Sequence, residues 1–335
     1  MAIPSRRSAA VSSGQSRQRG TALVGLLDAF WDSKGVIEAE GFRRFCSPVT
    51  PLIRFAGAVY TNDEEFRAQV EVSNYGAHPL VGQPLAWSVS DAGKVVRSGT
   101  LPACDLTLGY NACLGEIRVP LDGFATARKL TVEVSLPGTE YRNSWSIWVY
   151  PDGKSPQPGD VVCTRDPAEA LHLAPEGGTV LFNPDRTKLR GLAGKFVPVF
   201  WSPVHFPAQA GSMGILCDPE HPVFHDFPTD MHTDWQWWDL CKRATVMVTD
   251  SIRGGAPLVE MVDNFTNNRR LALLYEGRVG KGRMVIASFD LWNDLDERPV
   301  ARQMLASIFD YMNSEHFDPA PIENPEAIEA LMKDE

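Results

Sequence analysis

Between residues 57 and 151 apolar and polar side chains alternate in short runs. After a Pro- and Gly-rich break the runs become continuous and interleave with a helical period. Phe66-Arg67-Ala68-Gln69-Val70-Glu71-Val72-Ser73-Asn74 repeats every second residue, the spacing of a strand with one buried face. Leu85–Ser90 and Lys94–Gly99 read as strands on either side of Asp91-Ala92-Gly93, which carries hairpin-turn chemistry. Gly115–Pro120, Lys129–Leu136 and Tyr141–Tyr150 add three strands. About seven short strands at turn spacing predict an immunoglobulin-like β-sandwich, with Trp87, Trp145 and Trp148 as core and edge-packing residues.

Pro151-Asp152-Gly153-Lys154-Ser155-Pro156-Gln157-Pro158-Gly159 reads as a linker. Beyond it Val161-Val162-Cys163 is a strand, and Asp166 with Pro167 supplies an N-cap and first position for a helix. Gly178–Phe182, Lys195–Phe200, Arg243–Thr249 and Leu258–Val262 read as strands. Arg270–Tyr275 and Arg283–Phe289 pair as a hairpin across Gly280-Lys281-Gly282, and Pro299–Asn313 closes the region as an amphipathic helix. Strand, helix, strand predicts an open α/β sheet with helices on its faces. Upstream, the apolar run Ala22–Leu27 leads into Asp28-Ala29-Phe30-Trp31-Asp32, the pattern of a buried strand ending in a polar, aromatic mouth. Such a strand needs neighbours on both edges, and residues 1–20, rich in Arg and Ser, do not supply one. Ile37–Cys46 is roughly helical in period and is ended by Pro48 and Pro51.

The expected organisation is therefore a disordered tail (1–20), a strand and helix (21–56), the sandwich (57–151), a linker (152–160), the α/β module (161–318) and an acidic tail (319–335). The overall class is β plus α/β, multidomain.

Composition narrows the partners. With 42 acidic against 32 basic side chains, the net charge of −10 argues against nucleic acid, whose phosphates need a basic surface. No apolar run approaches the roughly 18 residues of a membrane span. None of the six cysteines forms a C-x-x-C pair, so they read as buried free thiols. Cys104 and Cys113 flank a short loop and are the one pair placed to bridge in an oxidising compartment.

Four constellations invite chemistry. Cys217–Asp234 holds three His and four Asp in 18 residues, but three prolines prevent the helical i, i+4 spacing of zinc motifs, so a turn-rich loop is expected and no metal. Trp235, Trp237 and Trp238 put three indoles in four residues, either as a carbohydrate-stacking patch or as packing. Cys163, Cys217 and Cys241 lie outside any Gly-x-Cys-x-Gly elbow, so no amidotransferase nucleophile is expected. Gly277–Gly282 lacks the Ser or Thr of a phosphate loop and reads as a hairpin turn. No cofactor is implied.

Thr21–Phe55, Thr139–Pro151, Phe200-Trp201-Ser202-Pro203, Trp235–Leu240 and Asp290-Leu291-Trp292-Asn293-Asp294 together resemble the C-terminal portion of family 2-like glycoside hydrolases, the β-galactosidase and β-glucuronidase group. The resemblance covers roughly residues 20 to 320. It implies that residues 21–56 match the last strand and exit helix of a catalytic barrel, and that 161–318 resembles the glutamine-amidotransferase-like module beside some such barrels. It also places Trp31 where the family positions an aromatic of the sugar platform. The family's two catalytic carboxylates lie on earlier barrel strands that have no match here. Retaining hydrolysis needs two carboxyl groups about 5–5.5 Å apart on separate strands, so Asp28 and Asp32 are not expected to serve. The expected role is non-catalytic: scaffolding, assembly with a barrel partner or a second copy, or weak carbohydrate contact. The alternative is a fragment of a glycosidase that hydrolyses O-glycosyl bonds.

Overall fold

The alternation along residues 57–151 is realised as two facing sheets, which also take in residues 49–54 from the segment before it. The computed structural model describes residues 25–28, 30–153, 155–194, 212–264 and 267–333. One sheet has the order β1 (Val49–Arg54), β3 (Glu65–Asn74), β6 (Gly109–Pro120). The other has the order β2 (Val59–Thr61), β8 (Arg142–Tyr150), β7 (Arg128–Ser135), β4 (Leu80–Asp91), β5 (Lys94–Leu106). Phe66, Ala68, Val70 and Ile117 from the first sheet meet Leu85, Val89, Leu130, Val132, Ile147 and Val149 from the second in one core. All pairs are antiparallel except β2 with β8, which is parallel. The β4–β5 hairpin turns at Ala92 and Gly93, both at positive φ (46° and 80°), as the Asp91-Ala92-Gly93 reading requires.

The described part of the segment before the sandwich departs from expectation. Residues 1–24 lie outside the described residues, and Gly25–Asp28 forms no buried strand. Leu27 makes a single bridge to Ser33, and the Asp28 carboxylate accepts from the N–H groups of Phe30 (2.8 Å) and Asp32 (3.0 Å), tightening a turn. No described neighbouring strand offers either edge a partner, and Leu27 and Phe30 stay exposed. The expected helix is present as one short turn, α1 (Ala39–Arg43), with no buried residue.

Beyond residue 160 a single sheet has a central path β11 (Gly191–Ala193), β13 (Thr245–Val248), β15 (Leu271–Val279), β16 (Gly282–Ala287), β10 (Thr179–Phe182), β9 (Val161–Thr164). Strand β14 (Ala256–Asp263) pairs with β15 and with β12 (Ser212–Cys217). Strands β9, β10 and β16 are parallel, and β15 returns antiparallel through a two-residue turn at Gly280-Lys281. Helix α2 (Pro167–Leu173) is capped by Asp166, whose side chain accepts from Ala168 N, with Pro167 at its first turn. The predicted strand Lys195–Phe200 and the Phe200–Pro203 motif lie outside the described residues.

The sheet's two faces follow strand alternation. Leu181, Val285 and Ala287 point to one side, where α4 (Pro299–Met312) packs. Val180, Phe182, Met284 and Ile286 point to the other, against α2 and a 3-10 helix at Pro325–Leu331. The amphipathic reading of α4 understates its burial, because both the sheet and the sandwich cover it. The acidic tail is packed as well, with Ile328 and Leu331 buried.

Strand β8 joins the two regions. Its alternate residues Ile147 and Val149 belong to the sandwich core, while Trp148 and Tyr150 enter the core beside α4. Trp148 Nε1 donates to Pro228 O (3.0 Å), and Tyr150 stacks on Phe227 with ring centroids 6.0 Å apart. The linker is pinned too. Asn313 Nδ2 donates to Pro158 O (3.0 Å), and a Cβ at Gly159 would lie 2.6 Å from Asn313 Oδ1.

Candidate functional site

The indole run is presented by a change of helix type. Asp234 Oδ1 accepts from Trp235 N (2.7 Å) and opens a 3-10 turn, Trp235–Trp237, which passes into α3 (Trp238–Lys242). At three residues per turn, positions i and i+3 eclipse, so Trp235 and Trp238 share one face and Trp237 points elsewhere. Trp235 is 58% exposed and Trp238 42%, with centroids 6.0 Å apart and planes tilted by 46°. The Lys242 ammonium lies 4.7 Å from the Trp238 centroid. Trp237 is 0% exposed: its Nε1 donates to Thr229 Oγ1 (2.9 Å) and its ring packs edge-on against Phe227 and Phe224. Burial removes Trp237 from the sugar-contact candidates and makes it the anchor of the other two.

Trp235 and Trp238 stand on a groove of about 620 Å³ at the junction of the two regions. Residues 55–59, Trp145 of β8 and the start of α4 form its walls. Gln236 also lines it. Gln236 Oε1 accepts from Tyr150 OH (3.2 Å), and Nε2 is buried without a hydrogen-bond partner. Such an orphaned donor is uncommon in a folded interior.

An ion cluster supports one wall. Arg298, with a side chain 4% exposed, donates from Nε and Nη2 to Asp239 Oδ2 (2.8 and 2.6 Å) and from Nη1 to Asn293 O (2.9 Å). Arg243 reaches Asp239, Asp290 and Asp294 at 3.0–3.8 Å. Burial alone would raise the Asp290 carboxyl, but hydrogen bonds from Asn293 and Trp292 N, with the Arg298 charge, hold it below its ordinary value. The Asp239 carboxylate is thus engaged by two guanidinium groups.

A second cavity of about 720 Å³ is lined by Lys129, His221, His225, Asp310, Tyr311 and His316, among others. Beneath it Tyr311 OH donates to Glu276 Oε2 (2.6 Å), and the His221 ring meets Tyr311 edge-on at 5.2 Å. Burial raises the Glu276 carboxyl although the Tyr311 bond opposes it, and burial with Glu276 raises the phenol.

The remaining sequence candidates are dispersed. Trp31 sits on the Asp28 turn at φ 69°, 82% exposed, and lines neither cavity. The Cys217–Asp234 segment is a turn-rich loop in which His221 Nδ1 accepts from Val223 N and Asp218 Oδ1 from Glu220 N. No metal-holding group of three His, Cys, Asp or Glu occurs among the described residues. Cys104 and Cys113 are both free, and Cys113 and Cys46 are exposed rather than buried. Burial pushes the Cys241 thiol up to about 12 and raises Cys163, so neither is a ready thiolate. Gln236, Arg298 and the Phe55–Val59 wall escaped the sequence reading. The Asp234 cap before the first indole was the available signal for the i, i+3 pairing.

Two family models match the chain. One, described as Domain of unknown function (DUF8487), covers residues 161–333, more than half of the chain. The other, described as Domain of unknown function (DUF8488), covers residues 64–151. No curated protein matches. Among solved structures, a β-glucuronidase from Parabacteroides merdae is 18% identical, with 30% of this chain and 14% of that one covered and a TM-score of 0.22. A β-glucosidase from Erythrobacter marinus is 11% identical over 30% and 15% of the two chains (TM-score 0.23). A CARDB domain from Pyrococcus furiosus is 13% identical over 31% and 94% (TM-score 0.23). The chain thus spans only 14% and 15% of the two glycosidase chains.

Proposed function

The chain belongs to the family described as Domain of unknown function (DUF8487), and we propose that it is a non-catalytic, carbohydrate-contacting region of a glycoside-hydrolase-like assembly. The observation that carries this reading is the exposed Trp235–Trp238 pair on the junction groove. An indole offers a large, rigid apolar face with a polar edge, which suits the apolar face of a sugar ring. The non-catalytic part rests on the carboxylates. Of the two acidic residues on the groove, Asp239 is held by Arg298 and Arg243, which leaves Glu297 without a second free carboxylate for acid–nucleophile cleavage.

Residues 57–151 are, in this reading, an immunoglobulin-like sandwich, which the parallel β2–β8 pair and the facing sheet orders support. Residues 161–318 are a glutamine-amidotransferase-like module without its nucleophile, which the raised thiols of buried Cys241 and half-buried Cys163 support. The exposed Leu27, Phe30, Val36 and Phe45 favour a partner, either a catalytic barrel or a second copy.

Fluorescence titration with mono- and oligosaccharides tests the reading. The expected result is a saturable change that Trp235→Ala and Trp238→Ala each abolish. No saturable change in the unaltered protein discards sugar contact. Turnover of aryl glycosides that vanishes on changing one carboxylate overturns the non-catalytic assignment.

A further inference from the structure

In open α/β sheets ligands settle outside the carboxyl ends of parallel strands. Here the ends of β9 and β10, at Thr164 and Phe182, lead into a cavity of about 730 Å³ that is separate in lining from the indole groove. Arg165, Asp166, Thr187, Lys188 and Lys333 line it. Its charges are one carboxylate against three cations, in a chain whose net charge is −10. Asp166 is already used, because its side chain caps α2 at Ala168 N (2.9 Å).

Two of these cations are differently placed from many of the chain's arginines. Arg54, Arg118, Arg243, Arg269 and Arg298 all end on carboxylates. Among the described residues, no hydrogen bond or ion pair engages the side chain of Arg165 or Lys188, though the Asp185 carboxylate lies within electrostatic range of both. Arg165 is instead positioned by stacking, its guanidinium carbon 5.6 Å from the Trp292 centroid. Trp292 Nε1 in turn donates to Asn183 O (3.4 Å) at the end of β10. Lys333 Nζ donates one hydrogen to Thr187 O (2.6 Å), and its remaining N–H groups are left for another acceptor. A stacked guanidinium keeps its fork of N–H donors in plane and available.

We propose that this cavity binds a phosphate monoester group. A dianion with three acceptor oxygens matches one forked and two point-like cations from separate chain segments, and relieves their mutual repulsion. A carboxylate, with a single charge and two oxygens, leaves one cation unanswered.

The test is calorimetric titration of the full chain with inorganic phosphate at low ionic strength. Saturable one-to-one binding that weakens with added salt is expected, because the site is open to solvent. Arg165→Gln and Lys188→Gln should each weaken binding about tenfold, the loss of one charge-assisted contact. Lys94→Gln, on the sandwich hairpin, should leave affinity unchanged, and circular dichroism should show all three variants folded. Sulfate should compete and acetate should not. Absence of saturable binding overturns the proposal, as does an equal loss in Lys94→Gln. Acetate binding as tightly as phosphate overturns the dianion assignment.

Discussion

Trp31 and the pair Trp235 and Trp238 are the same side chain with opposite support. Trp31 rides on a turn held by the Asp28 carboxylate and one bridge, with Leu27 and Phe30 equally exposed beside it. Trp235 and Trp238 flank a buried indole that is wedged between Phe224 and Phe227 and hydrogen-bonded to Thr229. An aromatic becomes a recognition surface when neighbours fix its orientation, and exposure alone does not provide that.

Removing the anchor should have the largest effect. Trp237→Ala should cost about 3–5 kcal/mol by emptying a filled site, and should abolish any sugar signal, in urea denaturation and titration respectively. Arg298→Ala should follow, at about 3 kcal/mol, because it leaves the largely buried Asp290 and the partly buried Asp239 only the more exposed Arg243 as a cationic partner. Tyr150→Phe should cost about 1 kcal/mol, since it removes one neutral hydrogen bond to Gln236 and leaves the ring in place.

The pH dependence is smaller and divides by sign. Glu276 has a raised carboxyl, so the stability of its protonated form is complete below its unfolded value and lost as pH rises through the folded one. Asp290 and Asp263 are depressed, and their contribution is lost instead as pH falls through their folded values. Glu276→Gln keeps an acceptor for Tyr311 and removes the titration. Its urea midpoint should therefore gain on the unaltered protein as pH rises above the ordinary carboxylate range. The smallest effect belongs to Trp31→Ala, within about 0.5 kcal/mol and without change in sugar titration; a larger loss would show that residues 25–47 are better anchored than their exposure indicates.

Much of the scaffold was legible because it rests on local rules. Period-two alternation located β3, turn chemistry located both hairpins, and Asp166-Pro167 marked the start of α2. The groove was only half legible. The indoles announced themselves, but Arg298 lies 59 residues from Asp239, and residues 55–59 meet Trp235 only through tertiary packing. The described end of the apolar run, residues 25–27, forms no buried strand because continuity of apolar residues does not specify a partner, and the chain turns back on itself at Asp28. The exposed Cys46 and Cys113 show the same limit, since burial depends on what arrives across the fold.

The two-sided burial of β8 has a consequence for dissecting the molecule. The two family models divide the chain between residues 151 and 161, yet Trp148 and Tyr150 face across that boundary. A sandwich fragment ending at residue 151 would expose an indole and a phenol ring on its outer face, and the complementary piece would lose the cover over Phe227. Each half should then self-associate in isolation, and relatives carrying the first unit alone should bear polar side chains at positions 148 and 150.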